Sequence, residues 1–171
     1  MPLLCLILAG GKSTRMGVDK ALLFDSVNAL TDILTSRGYR VIVACGGEER
    51  ATLFDAECWF DPDDSTSLGE VVRAFVQQHD EEIQLFPCDM YNLDDEAIEA
   101  ILTQPPGVPI DMNGQDQYTL ARIPQGCNLP PSKSLKHLFS KLDRNQMESL
   151  GDRLKNFNSP DQIEHRHKSN R

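Results

Sequence analysis

Six consecutive apolar residues, Leu3-Leu4-Cys5-Leu6-Ile7-Leu8, run straight into a loop of glycines, hydroxyls and cations that ends at Lys20. An apolar run this short reads as a strand buried on both faces, which belongs inside a parallel sheet covered by helices. Gly10, Gly11, Gly17, Ser13, Thr14, Lys12, Arg15 and Lys20 then fall within eleven residues. Glycine lets a backbone approach a ligand closely, and clustered N–H groups beside Lys and Arg suit a polyphosphate. The loop therefore reads as a nucleoside triphosphate site at the end of the first strand. A glycine-rich surface turn with solvated cations is the plain alternative.

The rest of the chain alternates strand and helix. A helical pattern over 27–36 stops at Gly38, and the apolar strand 40–45 follows, ended by Gly46-Gly47. A short helix over 48–54 leads to a third strand ending at Cys58-Trp59-Phe60, and then to the acidic turn at Asp61. Ser65-Thr66-Ser67 precedes a helix that puts Leu68, Val71, Val72, Phe75 and Val76 on one face. Strand 83–86 is closed by Pro87-Cys88-Asp89, and 94–102 is helical. Beyond Pro105 the pattern predicts strands at 108–110 and 118–123, a turn at Gly114, and a helix over 134–142. Ser159-Pro160 should open a last short helical segment. This alternation predicts a three-layer, Rossmann-like α/β fold with a mainly parallel sheet and helices on both faces. Ligands in such folds bind outside the carboxyl ends of the strands, where the glycine loop, Asp61 and Asp89 all fall.

A length of 171 residues suits one domain, expected over 1–164 with a polar tail at 165–171. The net charge of −9 argues against a nucleic-acid partner, so a phosphate site must be a local positive spot on an acidic surface. No apolar run nears the roughly 20 residues that span a bilayer, so no membrane association is expected. The opening lacks a basic n-region, so no signal peptide is expected. Five cysteines (Cys5, Cys45, Cys58, Cys88 and Cys127) form no C-x-x-C pair, which fits free thiols in a reducing cytoplasm. The four histidines read as solvated surface residues.

Spacing excludes two phosphate motifs. A P-loop ending in Gly11-Lys12-Ser13 would need glycine at position 6, where Leu6 stands. The dinucleotide fingerprint fails because Gly10 and Gly11 are adjacent and the next glycine is Gly17. The stretch from Leu8 to Lys20 instead resembles the nucleotidyltransferase signature L-A-G-G-x-S-x-R-M-G-x-D-K, and is most similar to that of the molybdenum cofactor guanylyltransferases. The resemblance continues at Asp61, Leu68-Gly69, Pro87-Cys88-Asp89-Met90 and Asn156-Phe157-Asn158-Ser159-Pro160. It implies the nucleotide-diphospho-sugar transferase type of fold, and transfer of GMP from GTP to molybdopterin with release of pyrophosphate. It also implies Mg²⁺ as cofactor and transient contact with other proteins of cofactor biosynthesis.

In that chemistry a phosphate oxygen attacks the α-phosphorus in line, so positioning and charge neutralisation carry the catalysis. Arg15 and Lys20 are candidates to neutralise the triphosphate, with backbone N–H groups from Gly10 to Ser13 cradling it; Lys12 fits equally as a solvated loop lysine. Asp89 is the candidate Mg²⁺ ligand. The resemblance implies nucleotide contacts from Leu8, Ala9, Gly10, Gly11 and Ser13, with Asp61 in the same pocket. Asp61 alternatively makes a simple Asp-Pro turn. Asn158 is a candidate for the metal or acceptor side, or for an Asx-turn. Asp19 reads as orienting Lys20 or the loop, and Cys88 as structural. The chain departs from the family at Asp25-Ser26-Val27-Asn28, where Gly-x-Pro-Leu is usual, and at Ala44, where an asparagine is frequent. The later, acceptor-side half is short. Another phosphorylated acceptor, or nucleotide binding without transfer, are the alternative functions.

Overall fold

The computed structural model describes residues 3–10 and 19–157. β1 (Leu3–Leu8) is buried at every position and pairs in parallel on both sides, with β2 (Arg40–Gly46) and with β4 (Glu82–Pro87). β3 (Glu57–Phe60) lies parallel outside β2, and β6 (Arg122–Ile123) closes the other edge antiparallel to β4. The order is β3-β2-β1-β4-β6. β5 (Val108–Ile110) and β7 (Arg144–Gln146) form a second, two-stranded parallel sheet.

Side chains alternate across the strands and make two cores. Cys5 and Ile7, with Val41, Val43 and Phe86, pack with residues of α1 (Ser26–Ser36) and α3 (Asp95–Thr103). Leu4 and Leu6, with Ile42, Ile83 and Leu85, pack with residues of α2 (Leu68–Gln78) and the single turn α4 (Leu135–Leu138). Burying a Leu, Ile or Phe side chain stabilises by about 1.5–3 kcal/mol, so a strand apolar on both faces holds both helical layers to one sheet. The fold is thus the three-layer, mainly parallel α/β arrangement that the sequence predicts.

Helix starts follow their caps. The Ser67 hydroxyl accepts from Glu70 N at 3.3 Å, while the Glu70 carboxylate accepts from Thr66 N at 3.0 Å, a reciprocal box that fixes the entry to α2. Asp94 Oδ1 accepts from Ala97 N at 2.9 Å and starts α3. Gly69 lies against the 132–133 segment: a Cβ there would come within 2.5 Å of the Ser132 carbonyl oxygen.

The later half departs from the pattern. The stretch 118–123 is a 3₁₀ turn (Tyr118–Leu120) followed by the two-residue β6, not one strand. The reason lies in β4, where the fully buried Gln84 Nε2 donates to the Leu120 carbonyl at 2.9 Å. A side-chain amide thereby takes the place of ladder hydrogen bonds. The helix expected over 134–142 stops after α4, and Arg144 Nη1 donates to the Leu142 carbonyl at 2.8 Å, satisfying an acceptor past its end. β7 and the 3₁₀ segment Glu148–Leu154 carry no apolar alternation and are not predicted. Phe24 and Asp25 take positive φ, +57° and +51°. The chain therefore makes a left-handed bend at two side-chain-bearing residues just before α1. His79 is half-buried rather than fully solvated: its ring stacks on Phe75 at 3.9 Å, with Nδ1 2.8 Å from the Phe75 carbonyl. The expected helical segment after Ser159 and the tail 165–171 lie outside the described residues.

Candidate active site

The carboxyl ends of the four parallel strands lie on one edge, and three chain segments leave it side by side. Leu8 is level with Ala44 on one flank and with Pro87 on the other, so Gly10 and Asp89 each lie two residues beyond paired strand ends. Ala9 N donates to the Ala44 carbonyl at 2.9 Å, and Asp61 N to the Gly46 carbonyl at 2.8 Å, drawing both segments onto β2. Gly46 has φ +94°, and a Cβ built on it would lie 2.9 Å from the Gly10 carbonyl oxygen. A Cβ on Gly10 would meet Gly46 N at 3.0 Å. The two segments can therefore touch only because both positions lack side chains.

Above this contact opens a cavity of about 310 Å³ lined by Leu8, Gly10, Ala44, Asp61, the 65–68 turn and Val71. Its size is at the lower end for small-molecule sites. Ala44 contributes only a methyl group to the wall, which leaves room that an asparagine would fill. Asp61 projects a carboxylate to which no described residue donates, and burial pushes its pKa above the ordinary 3.8.

On the other side of Gly10, Lys20 Nζ lies 3.3 Å from Asp89 Oδ2, both side chains less than one-fifth exposed. The Lys20 carbonyl accepts from the Tyr91 hydroxyl at 2.8 Å. Asp89 is therefore paired with a cation and does not cap a helix. Its carbonyl accepts from Phe157 N at 3.1 Å, which brings the end of the described chain to the same edge. Asp19 Oδ1 accepts from Ala21 N at 3.1 Å, and Oδ2 is paired with Arg50. Cys88 is pushed up to about 12, first by burial and then by the Asp89 charge, so it stays a thiol at neutral pH.

A second, polar groove of about 420 Å³ is lined by Asp111, Gln115, Gln117, Asp152, Lys155 and Asn156, among others. Gly107 bridges Arg122 in antiparallel fashion and β6 runs antiparallel to β4, so β5 runs in the direction of β4. Asp111, the residue after β5, thus falls toward the edge that carries Asp89. Asn156 Nδ2 donates to Gln117 Oε1 at 3.0 Å across the groove, next to the Phe157–Asp89 bond.

Of the residues singled out from sequence, Leu8, Ala9, Gly10, Lys20, Asp61 and Asp89 meet at this edge. Gly11, Lys12, Ser13, Arg15 and Asn158 lie outside the described residues. Arg50 and the 111–117 wall of the polar groove are not predicted. Their contacts join segments far apart in the chain, which no local pattern encodes.

A family model described as the MobA-like NTP transferase domain matches residues 5–122, more than two-thirds of the chain. This chain belongs to that family. Among solved structures, a protein from Aquifex aeolicus matches the MobA-like chain with a TM-score of 0.67 and 18% identity, over 91% of this chain and 93% of its own. A protein from Mycobacterium sp. strain JC1 matches at 0.66 and 19%, covering 98% and 96%. The 4-diphosphocytidyl-2C-methyl-D-erythritol synthase of Anaerococcus prevotii matches at 0.56 and 9%, over 99% of both. At these identities the likeness carries the fold. No curated protein matches the sequence. Family and fold are those of a nucleotidyltransferase, and no helix among the described residues is long and apolar enough to cross a membrane.

Proposed function

We propose that this MobA-like chain transfers GMP from GTP to molybdopterin and releases pyrophosphate. The observation that carries this reading is the Asp61 cavity and the Lys20–Asp89 pair on either side of Gly10, one suited to a base and the other to a triphosphate. An ionised carboxylate only accepts hydrogen bonds. Guanine offers two adjacent donors, its ring N–H and its exocyclic amine, which suits Asp61 better than the other bases do. Partial desolvation of Asp61 strengthens that preference, because the half-buried carboxylate has no described donor of its own.

With the base so placed, the α-phosphate lies over Gly10 and the leaving phosphates face Lys20. Arg15 and the backbone N–H groups of Gly11 and Ser13 belong to the same phosphate cradle in this reading. The attacking oxygen of the acceptor phosphate forms the new bond to the α-phosphorus while the bond to the β-phosphate oxygen breaks. The nucleophile is already anionic, so no general base is needed. Asp89 is the candidate Mg²⁺ ligand. Among the described residues no cluster of three His, Cys, Asp or Glu could hold a metal ion. One mostly buried carboxylate facing a polyphosphate nonetheless fits Mg²⁺, which takes one or two carboxylates and completes its shell with phosphate oxygens and water. When bound, the ion supplies charge neutralisation of the triphosphate. The polar groove beside Phe157 is the acceptor side, where Gln115, Gln117 and Asn156 suit a hydrogen-bonding heterocycle, with Asn158 the next candidate beyond them.

The test is pyrophosphate release from each of the four NTPs with Mg²⁺ and either molybdopterin or a panel of sugar phosphates. The proposal expects release with GTP and molybdopterin alone, and a fall of at least about 100-fold in Asp89→Asn with an unchanged circular dichroism spectrum. Release with a sugar phosphate instead would replace the acceptor. GTP binding with no release under any condition would make this a binding protein.

A further inference from the structure

Arg50 is 8% exposed, and its guanidinium is spread over three acceptors from three parts of the chain. Nη2 donates to the Ala9 carbonyl at 2.7 Å and Nε to the Cys45 carbonyl at 2.7 Å, so the first two contacts tie the outgoing ends of β1 and β2 together. The third goes from Nη1 to the Asp19 carboxylate. Two carbonyls would already satisfy a purely structural staple between strands. The added carboxylate belongs to the residue immediately before Lys20.

From there the chain of contacts is short. The other oxygen of Asp19 holds Ala21 N, so one carboxylate grips the backbone on the far side of Lys20. The Lys20 carbonyl is held by Tyr91, and its ammonium lies beside Asp89. Arginine suits this task better than lysine because its planar fork serves several acceptors at once, and its charge is not lost on burial. The Asp19 contact also holds the guanidinium firmly in its charged form.

We propose that Arg50 is a positioning residue for nucleotidyl transfer: through Asp19 it fixes Lys20 beside Asp89, so that a triphosphate meets a cation already in place. This rests on the reading of Lys20 as a triphosphate contact. Arg50 itself touches no substrate. Its removal should therefore harm the triphosphate side of the ligand and spare the base side.

The test is a double-mutant cycle on Arg50→Met, Asp19→Asn and the pair. Binding of GTP and of guanosine is measured by calorimetry, and the acylation rate of the Lys20 amine by mass spectrometry without ligand. Each single variant should weaken GTP binding by about tenfold, the size of one lost charge-assisted contact, and guanosine binding by less than about twofold. The double variant should be no worse than the weaker single, because both act along one line. Lys20 should be acylated several-fold faster in all three, and Arg50→Lys should restore part of the loss. Multiplying losses, equal losses for GTP and guanosine, or an unchanged Lys20 rate would overturn the proposal. If Arg50→Met does not fold, Asp19→Asn carries the test alone, since it leaves both carbonyl contacts of Arg50 in place. If the wild type binds no nucleotide, the functional reading fails, and the Lys20 rate still decides the role of Arg50.

Discussion

Replacing Gly46 by alanine should be costly in two separable ways. The residue sits at φ +94°, where a side chain costs roughly 1–2 kcal/mol. Its new Cβ would also lie 2.9 Å from the Gly10 carbonyl oxygen and 3.3 Å from Gly10 Cα, both backbone atoms that cannot rotate away. Overpacking of that kind adds about 1–3 kcal/mol. The sum is about 2–5 kcal/mol. Gly38 provides the internal control, with φ +89° and nothing within 4 Å of its built Cβ, so Gly38→Ala carries the backbone cost alone. Urea unfolding followed by the fluorescence of Trp59 measures both. With a slope of about 2 kcal/mol per molar, Gly46→Ala should lower the midpoint by about 1–2.5 M and Gly38→Ala by about 0.5–1 M. Equal shifts in the two variants would refute the close approach of Gly10 and Gly46 as a packing constraint, and with it the account of how the cavity floor is formed.

Three further outcomes follow from contacts at or near the edge. Asp61→Asn should stabilise the ligand-free protein at pH 7 while weakening GTP binding. Burial raises the folded-state pKa of Asp61, so the native form holds its proton more tightly than the unfolded chain does. Stability is therefore lost as pH rises from the ordinary 3.8 through the raised value, and stays lost above it. Thermal melting of both proteins at pH 7, without and with GTP, checks the sign; a less stable ligand-free variant would contradict it. Gln84→Leu should cost about 1–3 kcal/mol in urea unfolding, because the Leu120 and Leu85 carbonyls lose a donor and Gln104 Nε2 loses an acceptor at 2.9 Å. A neutral result would mean that the amide network is dispensable. Cys88→Ala should keep pyrophosphate release within about twofold, since a thiol pushed up to about 12 is not a nucleophile at neutral pH. Loss of activity at constant fold would reopen a covalent step.

What the sequence makes legible here is what depends on apolar period and caps. The uninterrupted run of β1 requires burial on both faces, and it stands at the centre of the sheet. Asp94 and the Ser67–Glu70 box mark the starts of two helices within a residue. The later half is harder to read because polar side chains take over the work of pattern. Gln84, Gln104 and Asn145 link β4, the end of α3 and β7 through amide hydrogen bonds near 2.9 Å, and none of these residue types announces a partner. The same division holds at the site. Lys20 and Asp89 could be proposed because each follows a strand in a motif. Arg50 could not, because two of its partners are backbone carbonyls, which every residue has. The 111–117 wall of the polar groove depends on the direction of β5, which emerges only from the bridge between Gly107 and Arg122.

The central position of β1 also has a consequence during synthesis. Its first neighbour, β2, leaves the ribosome about 36 residues later, since Leu4 pairs with Arg40, but its other flank waits for β4, where Leu4 pairs with Ile83. At roughly 5–20 residues per second the 43 positions from Arg40 to Ile83 take about 2–9 s. For that interval the most apolar strand of the chain has one open edge. Slowed elongation before Glu82 should therefore favour aggregation of the nascent chain, whereas slowing after Ile123, once every strand of the main sheet exists, should do little harm.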